Sequence, residues 1–343
     1  MEKNVELNRI GLALADYKGK PSTLCPGCGH NAISNQIQAA VWELGIAPEK
    51  VMKISGIGCS SKSPNYFLDR SFGFNGLHGR MPTVATGASF GDSSIKILGI
   101  SGDGDTASIG MGHFKHVIRR NVPMVYIIEN NGCYGLTKGQ FSATTDQGLV
   151  LKHQGVNILP PLDLCMEALI SGAPFVARTF SGDVKQMKEL IKAALSQNGV
   201  AVIDVISPCV TFNNRDEALQ SYSWGREHEA PIQGISHFTR REDMQLESFE
   251  EGTFREIQLN DGSYMVLKKI DKDYDPTDRH AALDLLTESY KYHYFATGLI
   301  YFSEVPPTIQ EQYDLPDEPF NRLTSDRLRP SKESLEAINI SLY

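Results

Sequence analysis

The 343 residues predict an α/β fold built on a doubly wound, mostly parallel sheet. Two observations predict it. A strand, a crossover helix and a second strand follow one another over residues 95–129, and the same alternation returns over residues 175–206. In the first unit, 95–101 is a short apolar strand, 102–105 a tight turn, 106–119 a helix and 122–129 the next strand. In the second, strands at 175–180 and 200–206 flank a helix over 184–195. Upstream, Ile33, Ile37, Val41 and Leu44 recur at helical spacing and Gly45 closes the segment. Residues 51–55 then read as a strand entering the turn Gly56-Ile57-Gly58-Cys59. The α/β core therefore covers roughly residues 20 to 210.

Beyond Cys209 the character changes. Residues 213–229 are polar, and two strand-like runs, 256–259 and 264–268, bracket an Asn260-Asp261-Gly262 turn suited to a β-hairpin. Pro306, Pro307, Pro316, Pro319 and Pro330 lie among charges in a final surface-running stretch. The expected division is a cofactor domain over 1–212 and a C-terminal extension over 213–343, packing on a cluster or on a partner chain. A net charge of −8 argues against nucleic acid as a substrate. No apolar run reaches the ~18 residues of a membrane span and no export signal opens the chain, so a cytoplasmic location is expected.

Gly102-Asp103-Gly104-Asp105 joins a buried strand to a helix start, where free N–H groups favour an anion and glycines admit it closely. Asp103 in that turn would repel a pyrophosphate unless a cation lay between them. Mg2+ meets this need, since it takes carboxylate, carbonyl and phosphate oxygens together. The next parallel strand ends at Glu129-Asn130-Asn131, which brings Asn131 to the same sheet edge. Its amide oxygen and the Cys133 carbonyl would complete the protein's share of the shell. A competing reading is a dinucleotide fingerprint, Gly102-x-Gly104-x-x-Ala107 with Glu129 as the ribose-binding acid. It leaves Asp103 harmful and Asn130-Asn131 without a task.

Six cysteines are present, and Cys25-Pro26-Gly27-Cys28 is a metal or redox spacing. With Cys59 and Cys209 at loop and strand ends, four thiolates could converge on either a tetrahedral Zn2+ or a [4Fe-4S] cluster. Cys165, in an apolar helical stretch, reads as core.

Taken in order, Cys25-Pro-Gly-Cys28-Gly-His30, Gly56-Ile-Gly-Cys59-Ser-Ser-Lys62, His78-Gly-Arg80, Gly102-Asp-Gly-Asp105, Asn130-Asn131, Tyr134-Gly-Leu-Thr-Lys-Gly-Gln140 and Ser207-Pro-Cys209-Val-Thr-Phe-Asn213 resemble one family. They are similar to the β subunit of the 2-oxoacid:ferredoxin oxidoreductases, most of all the 2-oxoglutarate type. The resemblance implies a thiamine diphosphate-binding sheet of the pyrophosphate-domain type. It implies that Cys25, Cys28, Cys59 and Cys209 ligate one [4Fe-4S] cluster, while Asp103, Asn131 and the Cys133 carbonyl hold Mg2+ on thiamine diphosphate. Gly102, Gly104, Asp105, Cys59, His78, Gly135, Leu136 and Thr137 would line the cofactor. His78, Arg80 and Lys62 are the expected catalytic residues, with Lys62 and Lys138 as cations toward the substrate.

The implied partners are an α subunit carrying the pyrimidine-binding domain, ferredoxin, coenzyme A and a 2-oxoacid. The same chemistry on pyruvate, a non-catalytic iron–sulfur electron carrier and a zinc-stapled nucleotide-binding protein are the alternatives.

Overall fold

The computed structural model describes residues 5–151, 154–216, 218–239, 254–258, 264–269 and 274–342. Strands β1 (Val51–Ser55), β2 (Phe72–Asn75), β3 (Lys96–Gly102) and β4 (Val125–Asn130) enter one eight-stranded sheet with Phe175–Phe180, Ala201–Ile206, Glu229–Pro231 and Phe295–Phe302. From one edge the order is 229–231, 295–302, 175–180, 201–206, β4, β3, β1, β2. All neighbours are parallel except 295–302 against 175–180. β2 lies on one side of β1 and β3 on the other, so the chain reverses direction across the sheet there. The crevice beyond the carboxyl ends of such strands is where open α/β sheets bind ligands.

Both faces are covered, as a sheet of nearly continuous apolar strands requires. On one face α1 (Gly29–Glu43) and the helix Val184–Leu195 pack through Ile33, Ile37, Val41, Leu190 and Ile191. On the other, α2 (Met81–Gly91), α3 (Met111–Arg119) and the helices Leu164–Ile170 and Arg279–Lys291 contribute Met81, Phe114, Leu164, Leu169 and Leu286. Each such side chain, wholly withdrawn from water, stabilises the fold by roughly 1.5–3 kcal/mol. Asp163 and Asp183 cap their helices by accepting from Met166 N and Gln186 N. Cys165 is fully buried in this second layer, as its sequence context predicts.

Several elements differ from expectation. The helix expected over 106–119 is two pieces, a π-helical turn Gly104–Ile109 and then α3. The wider turn fits contacts that follow the fold and not the local sequence. A Cβ on Gly104 would meet the Tyr134 ring at 2.4 Å, and one on Gly110 would meet the Asp105 carbonyl at 2.6 Å. β2 and α2 have no counterpart among the sequence expectations, β2 being an exposed four-residue edge strand, whereas the apolar helical stretch around Cys165 is the helix Leu164–Ile170. Two of the eight strands, 229–231 and 295–302, come from beyond residue 212, so the C-terminal extension is joined to the core sheet by backbone pairing. Strands Phe254–Gln258 and Tyr264–Lys269 do pair antiparallel, with Gln233–Thr239 on the other side of the second; the Asn260-Asp261-Gly262 turn lies outside the described residues.

Inside β1, Lys53 is buried, and its ammonium donates to the carbonyls of Pro64, Phe67 and Leu68 at 2.7, 2.7 and 2.9 Å. Burial pulls its pKa down to about 8. This staple holds the 3-10 turn Ser60–Tyr66 that follows Cys59.

Candidate active site

Three loops at the carboxyl ends of β1, β3 and β4 enclose a cleft of about 80 Å³. Close approach dictates the first: a Cβ on Gly56 would lie 1.7 Å from Asp105 Oδ2, so only glycine fits. The second carries Asp103, which is 2% exposed. Its Oδ2 accepts from Ser142 Oγ at 2.5 Å and Thr144 Oγ1 at 2.8 Å, and its Oδ1 from Asn131 N at 3.3 Å. Burial raises the Asp103 pKa, and these hydrogen bonds work against that shift. The third loop turns through Gly132 at φ +65°, and Asn131 Oδ1 accepts from Cys133 N at 3.1 Å. Tyr134 closes the cleft by donating to the Gly104 carbonyl at 3.1 Å.

Asp105, expected among the cofactor-binding residues, lines the cleft and also bonds to the neighbouring loops. Its carboxylate accepts from Gly79 N (2.7 Å), Ile57 N (3.2 Å) and Ser101 Oγ (2.6 Å), and meets His78 Nδ1 at 2.5 Å. It therefore orients His78 and ties the first loop to the second. With Nδ1 carrying the proton toward Asp105, Nε2 of His78 is the basic nitrogen.

The cleft is also lined by a buried pair, His30 and Glu129. His30 Nδ1 is 2.7 Å from Ser207 Oγ and 3.7 Å from Glu129 Oε2, which also accepts from Ser63 Oγ at 2.9 Å. Glu129 Oε1 has no partner among the described residues. Burial lowers the His30 pKa to about 4 and raises that of Glu129 well above its ordinary value.

Cys28 occupies the N-cap position of α1, and Gly29 lets that helix start against Ser207, where a Cβ would sit 2.5 Å from Oγ. Cys25 Sγ accepts from Thr211 Oγ1 at 3.4 Å, two residues from Cys209. The sulfurs of Cys59 and Cys209 each lie 3.5 Å from the point a Gly135 Cβ would occupy. Burial raises Cys28 to about 12 and Cys59 to about 11, with Glu129 and neighbouring cysteines adding to it. A hydrogen bond from the Cys133 thiol lowers Cys209 to about 6. Tyr222, from the extension, donates to the Gly27 carbonyl at 3.1 Å and covers the Cys25–Cys28 loop. Among the described residues no group of three or more His, Cys, Asp or Glu side chains closes to single-metal spacing.

Residues 56–205 match the family described as thiamine pyrophosphate enzyme, C-terminal TPP binding domain. The 2-oxoacid:ferredoxin oxidoreductase subunit beta of Saccharolobus solfataricus is 43% identical over 202 residues, 59% of this chain and 66% of that subunit. The 2-oxoglutarate synthase subunit KorB of Methanocaldococcus jannaschii is 38% identical over 57% of this chain and 72% of its own length. A solved 2-oxoglutarate:ferredoxin oxidoreductase from Magnetococcus marinus superimposes with a TM-score of 0.75 and 31% identity, covering 95% of this chain and 96% of that one. The chain belongs to the 2-oxoacid:ferredoxin oxidoreductase β-subunit family. It spans just under two-thirds of the Saccharolobus subunit.

In this β-subunit fold the cleft gathers Cys59, His78, Gly102, Asp103, Gly104, Asp105, Asn131, Cys133, Gly135, Leu136 and Thr137. Lys62, Arg80 and Lys138 do not line it. Lys62 donates to the Thr23 carbonyl at 3.1 Å, Arg80 precedes α2 and donates to the Gly79 carbonyl at 3.2 Å, and Lys138 is exposed at φ +79°. Ser142 and Thr144 were missed because they lie eleven and thirteen residues past Asn131 with no spacing signal. Glu129 was visible only as the acid at a strand end, and His30 only as part of the Cys28-Gly-His30 motif.

Proposed function

We propose that this chain is the β subunit of a 2-oxoglutarate:ferredoxin oxidoreductase that works with thiamine diphosphate, Mg2+ and one [4Fe-4S] cluster. The observation that carries the reading is Asp103: a carboxylate sealed from water at the strand-end crevice, held by three donors, beside a glycine-lined cleft. A buried carboxylate aimed at an anion-binding turn fits a divalent ion bridging it to a diphosphate. Asn131 and the Cys133 carbonyl would complete the protein ligands. Cys25, Cys28, Cys59 and Cys209 are proposed as the ligands of an iron–sulfur cluster, a reading supported by the approach of the Cys59 and Cys209 sulfurs to Gly135 and of Cys25 to Thr211.

Thiamine diphosphate, when bound, supplies a carbon that stabilises the carbanion left by CO2. This chain's residues bind and orient. Gly102 and Gly104 let the main chain approach the diphosphate, Tyr134 and Leu136 keep water from the cleft, and His78 presents Nε2 as a proton acceptor fixed by Asp105. Glu129 and His30 line the cleft beside Cys59 and Cys133. In balance, 2-oxoglutarate and coenzyme A give succinyl-CoA and CO2, the thiol proton is released, and two electrons pass singly to ferredoxin. The reverse flux uses the same groups.

The substrate assignment rests on the relatives' names and on the Magnetococcus enzyme, whose structure holds 2-oxoglutarate, coenzyme A and succinyl-CoA. Lys62, Arg80 and Lys138 are proposed as cations toward the distal carboxylate, with an α-chain residue sharing the task. The α subunit is required because the pyrimidine end of the cofactor needs a carboxylate from another domain. Exposed Ile57, Leu77 and Leu136 near the cleft suit such a cover. Residues 1–212 would hold the cofactors and 213–343 would cover the cluster loop through Tyr222.

Anaerobic co-purification with the partner chain, analysed for iron, sulfide and thiamine diphosphate, tests the reading. Four irons and one thiamine diphosphate per β chain support it; a preparation without either, inactive on 2-oxoglutarate, refutes it.

A further inference from the structure

Asp103 is not held by its immediate neighbours alone. Thr144 Oγ1 lies 2.8 Å from Asp103 Oδ2 and 3.1 Å from Asn130 Oδ1, so its single hydroxyl hydrogen is shared between the two oxygens. Asn130 Nδ2 donates to Asp204 Oδ1 at 3.1 Å. Asp204 Oδ2 accepts from Arg178 Nε at 3.1 Å, and Arg178 Nη2 donates to Asp163 Oδ1 at 2.7 Å. Asp163 in turn caps the helix Leu164–Ile170. Asn130, Thr144, Asp204 and Arg178 are all buried.

The series crosses three adjacent strands, from the end of β4 through 201–206 to 175–180. Asn130, Thr144, Arg178 and Asp204 form one wall of a cavity of about 560 Å³, and Asp103, at the end of the series, lines the cofactor cleft. An arginine buried with two carboxylates is a costly arrangement that a purely apolar wall would avoid. Its geometry does one thing an apolar wall cannot: it fixes the rotation of the Asn130 amide, and through Thr144 the rotation of the Asp103 carboxylate.

We propose that Arg178, Asp204, Asn130 and Thr144 are positioning residues that set the orientation of Asp103 toward its divalent ion, so that Mg2+ affinity depends on side chains that never touch the metal. The inference rests on the Mg2+–thiamine diphosphate reading above. The Asn131 N–H holds Asp103 Oδ1, while Ser142 Oγ and Thr144 Oγ1 share Oδ2, so the series reaches the carboxylate through Oδ2. Networks of this kind lose more on deletion of one member than a single pair would.

The test uses the co-purified complex, stripped of Mg2+ by chelation and titrated with MgCl2 at fixed thiamine diphosphate, with cofactor binding read by calorimetry. Thr144→Val, nearly isosteric, and Asp204→Asn, remote from the metal, should each raise the Mg2+ concentration for half-saturation by roughly tenfold, the effect of about one hydrogen bond. Thr144→Ser should restore the wild-type value, which a merely structural role for the threonine methyl would not do. Iron content should stay at the wild-type level in all three. If Thr144→Val and Asp204→Asn bind Mg2+ and cofactor as the wild type does, the positioning role is overturned while the function stands. If the wild type itself shows no Mg2+-dependent binding of thiamine diphosphate, both fall.

Discussion

Asp105 and His78 meet at 2.5 Å, Oδ1 to Nδ1, although they come from different loops and the carboxylate is sealed from solvent. Gly56 exists to make room for this contact. Asp105→Asn should leave Mg2+ and thiamine diphosphate binding within about threefold while lowering turnover by on the order of 10²-fold, because the His78 tautomer is no longer dictated. Gly56→Ala should behave the same way by displacing the carboxylate. Steady-state kcat beside cofactor affinity checks this; an equal loss in both would move Asp105 into direct cofactor contact.

Asp103 sits buried at a cost when no cation faces it, since burial raises its pKa. For an acid raised in the folded state the native protein binds more protons than the unfolded one, so stability falls as pH rises through that range. Asp103→Asn should therefore melt higher than wild type at pH 8 without metal. With Mg2+ and thiamine diphosphate the order should reverse, because only the wild type gains ligand stabilisation. Differential scanning fluorimetry under the two conditions reads both halves.

Asp146 is mostly buried beside the larger cavity, accepts from Leu219 N at 2.9 Å, and has its pKa raised from 3.8 to about 6 by burial. Below about pH 3 both states are protonated and the residue is neutral to stability. Between about pH 3 and 6 the unfolded chain ionises first, and above pH 6 the full penalty applies. Asp146→Asn keeps an acceptor for Leu219 and should stabilise by roughly 2–3 kcal/mol at pH 8, with almost no gain at about pH 3. Urea midpoints at the two pH values measure it.

Single replacements Cys25→Ser, Cys28→Ser, Cys59→Ser and Cys209→Ser should each cut iron and sulfide to below about half of wild type in anaerobic preparations. Cys165→Ser should keep both, since that thiol lies in the helical layer remote from the cleft. Retention of full iron by the Cys209 variant would remove the late strand's contribution to the cluster.

Periodicity exposed the parallel core because each strand–helix–strand unit is local, and motif chemistry exposed Asp103, Asn131 and the cysteine loops because glycines, carboxylates and thiols at strand ends have few other uses. Residues whose role depends on distant chain stayed hidden. Ser142 and Thr144 become Asp103 donors only when their loop folds back onto β3. His30 meets Glu129 and Ser207 across gaps of 99 and 177 residues.

The sequence by itself determined the fold class, the crevice and the kind of cofactor chemistry, since these follow from the spacing of side chains along short segments. Only the tertiary structure decided that Asp105 serves His78, that Lys53 staples three carbonyls, that strand 295–302 extends the core sheet, and that Arg178 reaches Asp103 through three intermediaries. The physical reason is that burial and hydrogen-bond saturation are properties of neighbours in space, and sheet order brings together neighbours that chain order does not.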